Sequence, residues 1–250
     1  MEKNISISII VATYNGEEYI REQIASILSQ IGSADEIIVT DDRSTDSTLL
    51  IVKGFCDSRI KVIYSDNAKG PIGNFENGIK NSTRDVIVLA DQDDIWLGGR
   101  LDTIRSAFKS SKSRFLLVVL DSAVVNERLE LIQPSVFRFM HSGVGLFKNI
   151  YRNTYIGCHM AFSRNLVPLI LPFPKKIPMH DVWIGLVSEL VGSVVFINSI
   201  SMLFRRTGRN FTQPRYSWKT RFAWRFNLML SLLIFCISNI KMIIRNKLIA

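Results

Sequence analysis

Two acidic loops, each at the end of a β-branched apolar run, constrain this chain more than any other feature. Ile37-Ile38-Val39-Thr40 runs into Asp41-Asp42-Arg43-Ser44-Thr45-Asp46, and Val86-Ile87-Val88-Leu89-Ala90 runs into Asp91-Gln92-Asp93-Asp94-Ile95-Trp96. Short apolar runs of this kind read as buried strands of a parallel sheet. Ligands of open α/β sheets sit beyond the carboxyl ends of the strands, so carboxylates at two such ends can converge on one ligand. An anionic ligand there needs a cation between itself and the carboxylates, which points to a metal-bridged phosphate compound.

The same alternation extends along the chain. Strands are predicted at 5–12, 36–40, 60–64, 85–90, 115–121, 156–163 and 193–197. Helices are predicted at 17–30, 46–55, 71–80, 97–110 and 181–191. Strands alternating with helices over the first 120 residues imply an α/β fold with a doubly wound, mostly parallel sheet and helices on both faces. Residues 134–155, with Pro134, Gly143 and Gly145, are less regular. A length of 250 residues suits one domain with an appendage, and 47% hydrophobic residues suffice for its core. We place the sheet domain at 1–212 and a basic, apolar helical extension at 213–250.

That extension carries the charge. The net charge is +9, yet from residue 190 onward there are ten Lys and Arg and no Asp or Glu. Phe226–Ile240 is almost wholly apolar, flanked by Arg221 and Arg225 before it and Lys241 and Arg245 after it. Its 15 residues fall short of the roughly 20 needed to cross a bilayer. A helix lying in the interface of an anionic membrane surface fits this pattern. The alternatives are packing on the domain or on a second copy in a homodimer, and a true span. Basic residues interleaved with Leu, Ile and Phe, with no recognition motif, argue against nucleic acid as a partner. Cys56, Cys158 and Cys236 show neither a disulfide framework nor metal-ligand spacing, which suits a reducing compartment. The apolar run after Met1 is too short for a secretory segment. The expected location is cytoplasmic, peripheral on the inner face of the cell membrane.

The turn after the first strand, Thr13-Tyr14-Asn15-Gly16-Glu17-Glu18, contains no GxGxxG, and the chain has no P-loop. Another device must hold the phosphates. Asp91 and Asp93, at i and i+2 of an extended loop, can point the same way, and oxygen ligands of this kind suit Mn or Mg. Such an ion serves a leaving phosphate as a Lewis acid. The plainer reading of both loops is turn and helix N-cap chemistry, for which Asp and Ser are ordinary. An EF-hand is excluded because its glycine and distal Glu are missing.

Six ordered segments then carry a family resemblance: SIIVATYNGEEYI, DEIIVTDDRSTDST, GPIGNFENGI, VIVLADQDDIW, IGCHMAFSR and MHDVWIGL. Together, over roughly residues 5–210, they resemble the family 2 glycosyltransferases, and most closely the bacterial rhamnosyltransferase-like branch that builds surface polysaccharides. The resemblance implies a GT-A type fold. It also implies inverting transfer from a nucleoside diphosphate sugar, dTDP-rhamnose-like or UDP-hexose, to a lipid-linked saccharide acceptor. It assigns Ala12, Tyr14 and Glu17 to the base and ribose pocket and Asp42 to the pyrimidine. Asp91 and Gln92 then lie beside the ribose and phosphates, and Asp93 (with Asp91) at a divalent metal. Asp181 matches the catalytic base, with His180 as a positioning neighbour, and Lys69 and Asn74 are further donor-site candidates. A single displacement at the anomeric carbon needs one such base, on the face opposite the departing diphosphate. Thr207 stands where a His often follows the basic pair, leaving Arg206 and Arg209 to hold the diphosphate, and Arg43 stands where Gly is common. A transferase-like binding module without chemistry is the alternative that Thr207 leaves open. A phosphoacceptor receiver domain is disfavoured because its acidic pair follows the first strand.

Overall fold

The computed structural model describes residues 5–65, 70–207 and 217–249. The strands are β1 (Ile7–Thr13), β2 (Glu36–Asp41), β3 (Ile60–Tyr64), β4 (Val86–Asp91), β5 (Ile95–Trp96), β6 (Leu116–Val125), β7 (Leu131–Gln133), β8 (Met160–Ser163) and β9 (Ser193–Arg205). The helices are α1 (Ile20–Leu28), α2 (Thr48–Lys53), α3 (Gly70–Asn81), α4 (Arg100–Ser110), α5 (Val136–Met140), α6 (Leu146–Tyr151), α7 (Val167–Ile170), α8 (His180–Val191) and α9 (Trp218–Ile249).

All these strands join one sheet in the order β3-β2-β1-β4-β8-β6-β9-β5, with β7 on β6. From β3 to β4 every pairing is parallel, as the β-branched runs imply. Beyond β4 the sheet is mixed, because β8 enters antiparallel between β4 and β6. Side chains alternate across the pleat. Ile9, Val11, Val88 and Leu116 pack with Ile20 and Ile24 of α1 and Ile104 of α4. Ile10, Leu89, Leu117 and Val119 pack on the other face with Phe75 of α3, Val187 of α8 and Leu232 of α9. The sheet is thus covered on both sides by helices.

Strand order places the site. β1 pairs with β2 on one side and β4 on the other, with Thr13 opposite Asp41 and Ala12 opposite Asp91. Both acidic loops therefore leave the same end of the sheet, on strands flanking β1.

The carboxyl-terminal extension differs from the expected 15-residue apolar helix. α9 is 32 residues long, and by length and composition Trp218–Asn246 meets the requirement for crossing a membrane. One of its faces nevertheless belongs to the domain. Leu228, Leu232, Phe235 and Ile243 are buried, and Phe235 meets Trp183 of α8 edge to face at 5.9 Å. Asn246 donates to the Val191 carbonyl at 3.0 Å, so α9 runs alongside α8 to its end. The opposite face exposes Phe222, Phe226, Met229, Leu233, Ile237, Ile240 and Ile244, a stripe at helical spacing.

α8 reaches its place through one close approach. Gly192 turns the chain from α8 into β9, and a Cβ there would lie 1.9 Å from the Phe115 carbonyl oxygen. That same carbonyl accepts the Ser193 amide at 2.9 Å, opening the β6–β9 pairing. Backbone cannot yield as a side-chain tip can. Gly192→Ala is expected to destabilise the protein by about 2 kcal/mol or more through overpacking, read as a lowered urea midpoint at unchanged m-value.

Candidate active site

A cavity of about 460 Å³ opens at the carboxyl ends of β1, β2 and β4. Of the residues singled out in the sequence, Ala12, Tyr14, Asp42, Asn74, Asp91, Gln92, Asp93 and Asp181 line it. Glu17 does not. Its carboxylate accepts the Ser47 amide at 2.8 Å, tying the β1 loop to the start of α2. Lys69, Arg209 and Arg215 lie outside the described residues.

The walls are tied loop to loop. The Gln92 amide clamps the Tyr14 backbone, accepting from its N–H at 2.9 Å and donating to its carbonyl at 3.0 Å. Asp42 Oδ2 accepts the Gly70 amide at 2.6 Å, joining the β2 loop to the first residue of α3. Asn74 donates to the Thr13 carbonyl at 3.1 Å and accepts from Thr40 at 2.8 Å, so α3 is bolted to β1 and β2. Arg43 adopts φ of +64°, so the turn keeps its left-handed residue although the side chain is not glycine. Asp41 supports that turn by accepting both the amide and the hydroxyl of Ser44.

Below the Asp91 loop the site is buried and acidic. Loss of water, and then the neighbouring Asp91 charge, push the Asp93 carboxyl up to about 7. Burial likewise raises Asp91, and raises Asp94 well above the carboxylate range. Asp94 accepts the Arg205 amide at 3.1 Å, while its Oδ2 has no partner among the described residues. Ligand atoms of Asp91, Asp94 and Cys158 lie within 4.8 Å of one another. Burial and the two carboxylates hold the Cys158 thiol well above its usual range, so it stays protonated beside Asp94. The hard oxygen donors of Asp91 and Asp93 face the cavity and fit a divalent cation of the Mg or Mn type, whereas a protonated thiol is no ligand for a soft one.

Arg100, Arg205 and Arg206 offset this charge from the protein side. Arg100 is fully buried, donating to Ser201 at 2.6 Å and to the Cys158 carbonyl at 2.7 Å, with its guanidinium over the Trp96 ring at 4.9 Å. Arg206 is exposed over the Phe204 ring and its charge lowers both Asp91 and Asp93.

Asp181 faces the same cavity from the first turn of α8. Its Oδ1 accepts the Val182 amide at 2.5 Å and the Asn153 amide at 3.1 Å. Burial nevertheless raises its carboxyl to about 7. His180 beside it is buried 4.3 Å from the Phe75 ring centroid, neither ring nitrogen has a partner among the described residues, and burial lowers its pKa to about 3. It therefore presents a neutral imidazole. Asp94, Phe204, Met179 and Gly157 were not singled out by sequence reasoning. Their roles depend on β8 and β9 folding back under the Asp91 loop, and no local pattern signals that.

The arrangement brings the Asp91 and Asp93 carboxylates and the buried carboxylate of Asp181 to one cavity. Comparison with known proteins gives the same direction. The family model for glycosyl transferase family 2 matches residues 8–167. The UDP-Glc:alpha-D-GlcNAc-diphosphoundecaprenol beta-1,3-glucosyltransferase WfgD of Escherichia coli is 29% identical over 185 residues, which is 73% of this chain and 70% of that protein. The dTDP-rhamnosyl transferase RfbG of Shigella flexneri is 43% identical over 93 residues, 34% of this chain and 32% of that protein. Among solved structures, S. aureus TarS 1–349 in complex with UDP-GlcNAc shares the fold at a TM-score of 0.68 and 22% identity, over 85% of this chain and 62% of that one. The mannosyltransferase PcManGT from Pyrobaculum calidifontis, in complex with GDP-Man and Mn2+, shares it at a TM-score of 0.60 and 19% identity, over 94% of this chain and 64% of that one. The fold is thus of the GT-A type, and this chain spans less than two thirds of either structure.

Arg100→Met keeps the volume of the buried side chain and deletes its charge. It is expected to destabilise the protein by about 3 kcal/mol, because the buried Cys158 carbonyl and Ser201 hydroxyl lose their donors and the acidic cluster loses a neighbouring cation. Urea unfolding measures the loss. Arg100→Met at wild-type stability would show that the acidic cluster does not need this cation.

Proposed function

The chain belongs to glycosyl transferase family 2, and we propose that it transfers a sugar, with inversion, from a nucleoside diphosphate sugar to a lipid-linked saccharide at the cytoplasmic face of the membrane. The observation that carries this reading is the shared cavity, lined by Asp91 and Asp93 and by Asp181. The names of WfgD and RfbG favour UDP-glucose-like or dTDP-rhamnose-like donors and a diphosphate-linked lipid acceptor.

In this mechanism Tyr14, Asp42 and Asn74 line the part of the cavity assigned to the nucleoside, and Gln92 holds the β1 loop against the Asp91 loop. Asp91 and Asp93 would hold the divalent ion, Mn or Mg, which supplies Lewis-acid charge to the departing diphosphate when bound. Arg206 adds a positive charge beside the same carboxylates, in the role often filled by the His that Thr207 replaces. Asp181 accepts the proton of the acceptor hydroxyl as it attacks the anomeric carbon. The raised carboxyl of Asp181 makes it a stronger base than an ordinary Asp, and its hydrogen bond from Asn153 orients it. The exposed apolar stripe of α9 and its flanking Arg and Lys support peripheral attachment, with the helix lying in the interface.

Asp181→Asn is expected to lower kcat by at least about a hundredfold while nucleotide-sugar affinity stays within about twofold. Asp93→Ala is expected to lose transfer together with metal-dependent nucleotide binding. Transfer from a panel of nucleotide sugars, followed by mass, separates the two. Near-normal turnover in Asp181→Asn would refute the base assignment.

The pH dependence carries a definite sign. Only the ionised carboxylate accepts a proton, so kcat/KM for the acceptor should rise by about tenfold per unit below pH 7 and level off above it. The group responsible is Asp181, with its pKa of about 7. The limb should be missing from the residual activity of Asp181→Asn. A flat profile from pH 5 to 8 in the parent protein would contradict the assignment.

A further inference from the structure

A second cavity, of about 490 Å³, adjoins the first and is lined by the end of α6, the segment entering α8 and the first turns of α9. Its wall contains Arg152, Arg221 and Arg225 and, among the described residues, no carboxylate. Glu189 of α8 is spent elsewhere, accepting from Tyr155, Asn149 and the Gly145 amide. Three guanidinium groups around one void gather positive charge there, which favours an anionic ligand. Arg225 is held at the wall, donating to the Tyr151 carbonyl at 2.6 Å with its guanidinium 4.8 Å from the centre of the Tyr151 ring.

Two residues connect this void to the chemistry. Met179 lines both cavities, and Asn153 lines the second while donating to Asp181 in the first. Trp224 and Leu228 of α9 give the same cavity an apolar wall. Arginine forks match the paired oxygens of a diphosphate better than any other side chain does.

We propose that this cavity binds the diphosphate of the lipid-linked acceptor. The acceptor sugar then projects past Asn153 and Met179 to Asp181, and the lipid chain leaves over the apolar wall formed by Trp224 and Leu228. The inference rests on the transferase reading above and adds to it the acceptor-binding site.

The test uses the full chain and two soluble or dispersed probes, undecyl diphosphate and phosphatidylglycerol vesicles. Arg221→Ala/Arg225→Ala is expected to weaken undecyl diphosphate binding by tenfold or more in titration calorimetry. It should raise KM for an undecyl-diphosphate-linked sugar by a similar factor. The kcat, the donor KM and the KM for the uncharged undecyl glycoside of the same sugar should stay within twofold. Lys241→Ala/Arg245→Ala removes equal charge from the same helix outside the cavity, and should weaken vesicle binding while leaving undecyl diphosphate affinity unchanged. Should the first pair fail to fold, Arg152→Ala, on the opposite wall, carries the same expectation. Unchanged undecyl diphosphate affinity in the cavity variants overturns the proposal. So does an equal loss of both probes in both pairs, which would make these arginines a general membrane contact. Arginine-dependent diphosphate binding without transfer from any nucleotide sugar would sustain the site and refute the transferase reading instead.

Discussion

The structure is organised around negative charge gathered where water is scarce. Asp91, Asp93 and Asp94 fall within four residues at the tip of β4, and all three carboxyls are raised by burial. Two like charges about 4 Å apart repel by roughly 4 kcal/mol at an effective dielectric near 20, a large part of a domain's whole stability. The loop exists only because the fold supplies opposing charge and donors from several directions. Arg100 comes from α4, the Arg205 amide from the end of β9 and the Cys158 thiol from the turn before β8. All three groups follow the loop in sequence, and Cys158 and Arg205 lie far beyond it. The back half of the sheet therefore serves the front half as a counter-charge holder, while Asp91 and Asp93 stay on the cavity wall.

The parallel half of the fold was legible because burial on both faces leaves an unambiguous mark, an uninterrupted β-branched run ending in polar residues. β1 to β4 follow those runs within a residue or two. The mixed half was harder for identifiable reasons. The run 156–163 reads as one strand, yet Gly157–His159 is a 3-10 turn, and Gly157 packs so close to His180 that a Cβ would lie 2.5 Å from Nε2. β9 was expected to end at Ile197 but continues to Arg205 through a register shift opposite Asp121, and its middle is polar and exposed. α5 and α6 are five and six residues long, too short to show helical periodicity.

Site residues divide in the same way. Carboxylates at strand tips can be read from a strand pattern, and Asp181 could be reached only through a family motif, since in isolation it is an ordinary first-turn Asp. Asp94 and Cys158 were hidden for a different reason. A residue whose partners come from an antiparallel insertion has no signature in its own neighbourhood. Glu17 is instructive in the opposite sense. It stands in a matching motif, but here its carboxylate accepts the Ser47 amide, outside the cavity wall. Sequence position puts a side chain near a site, and the local competition for hydrogen bonds decides which way it faces.

α8 is where these threads meet. Its first turn carries Asp181 into the cavity, its body packs Val187 and Trp183 against the sheet and α9, and its end is locked to β6 through Gly192. α9 runs beside it and is tied to the domain at both ends, by Arg225 to Tyr151 and by Asn246 to Val191. A helix held in this way cannot move without carrying α8, and Asp181 along with it. Under the membrane attachment proposed above, the exposed stripe of α9 and the wall of the cavity would therefore form one mechanical unit.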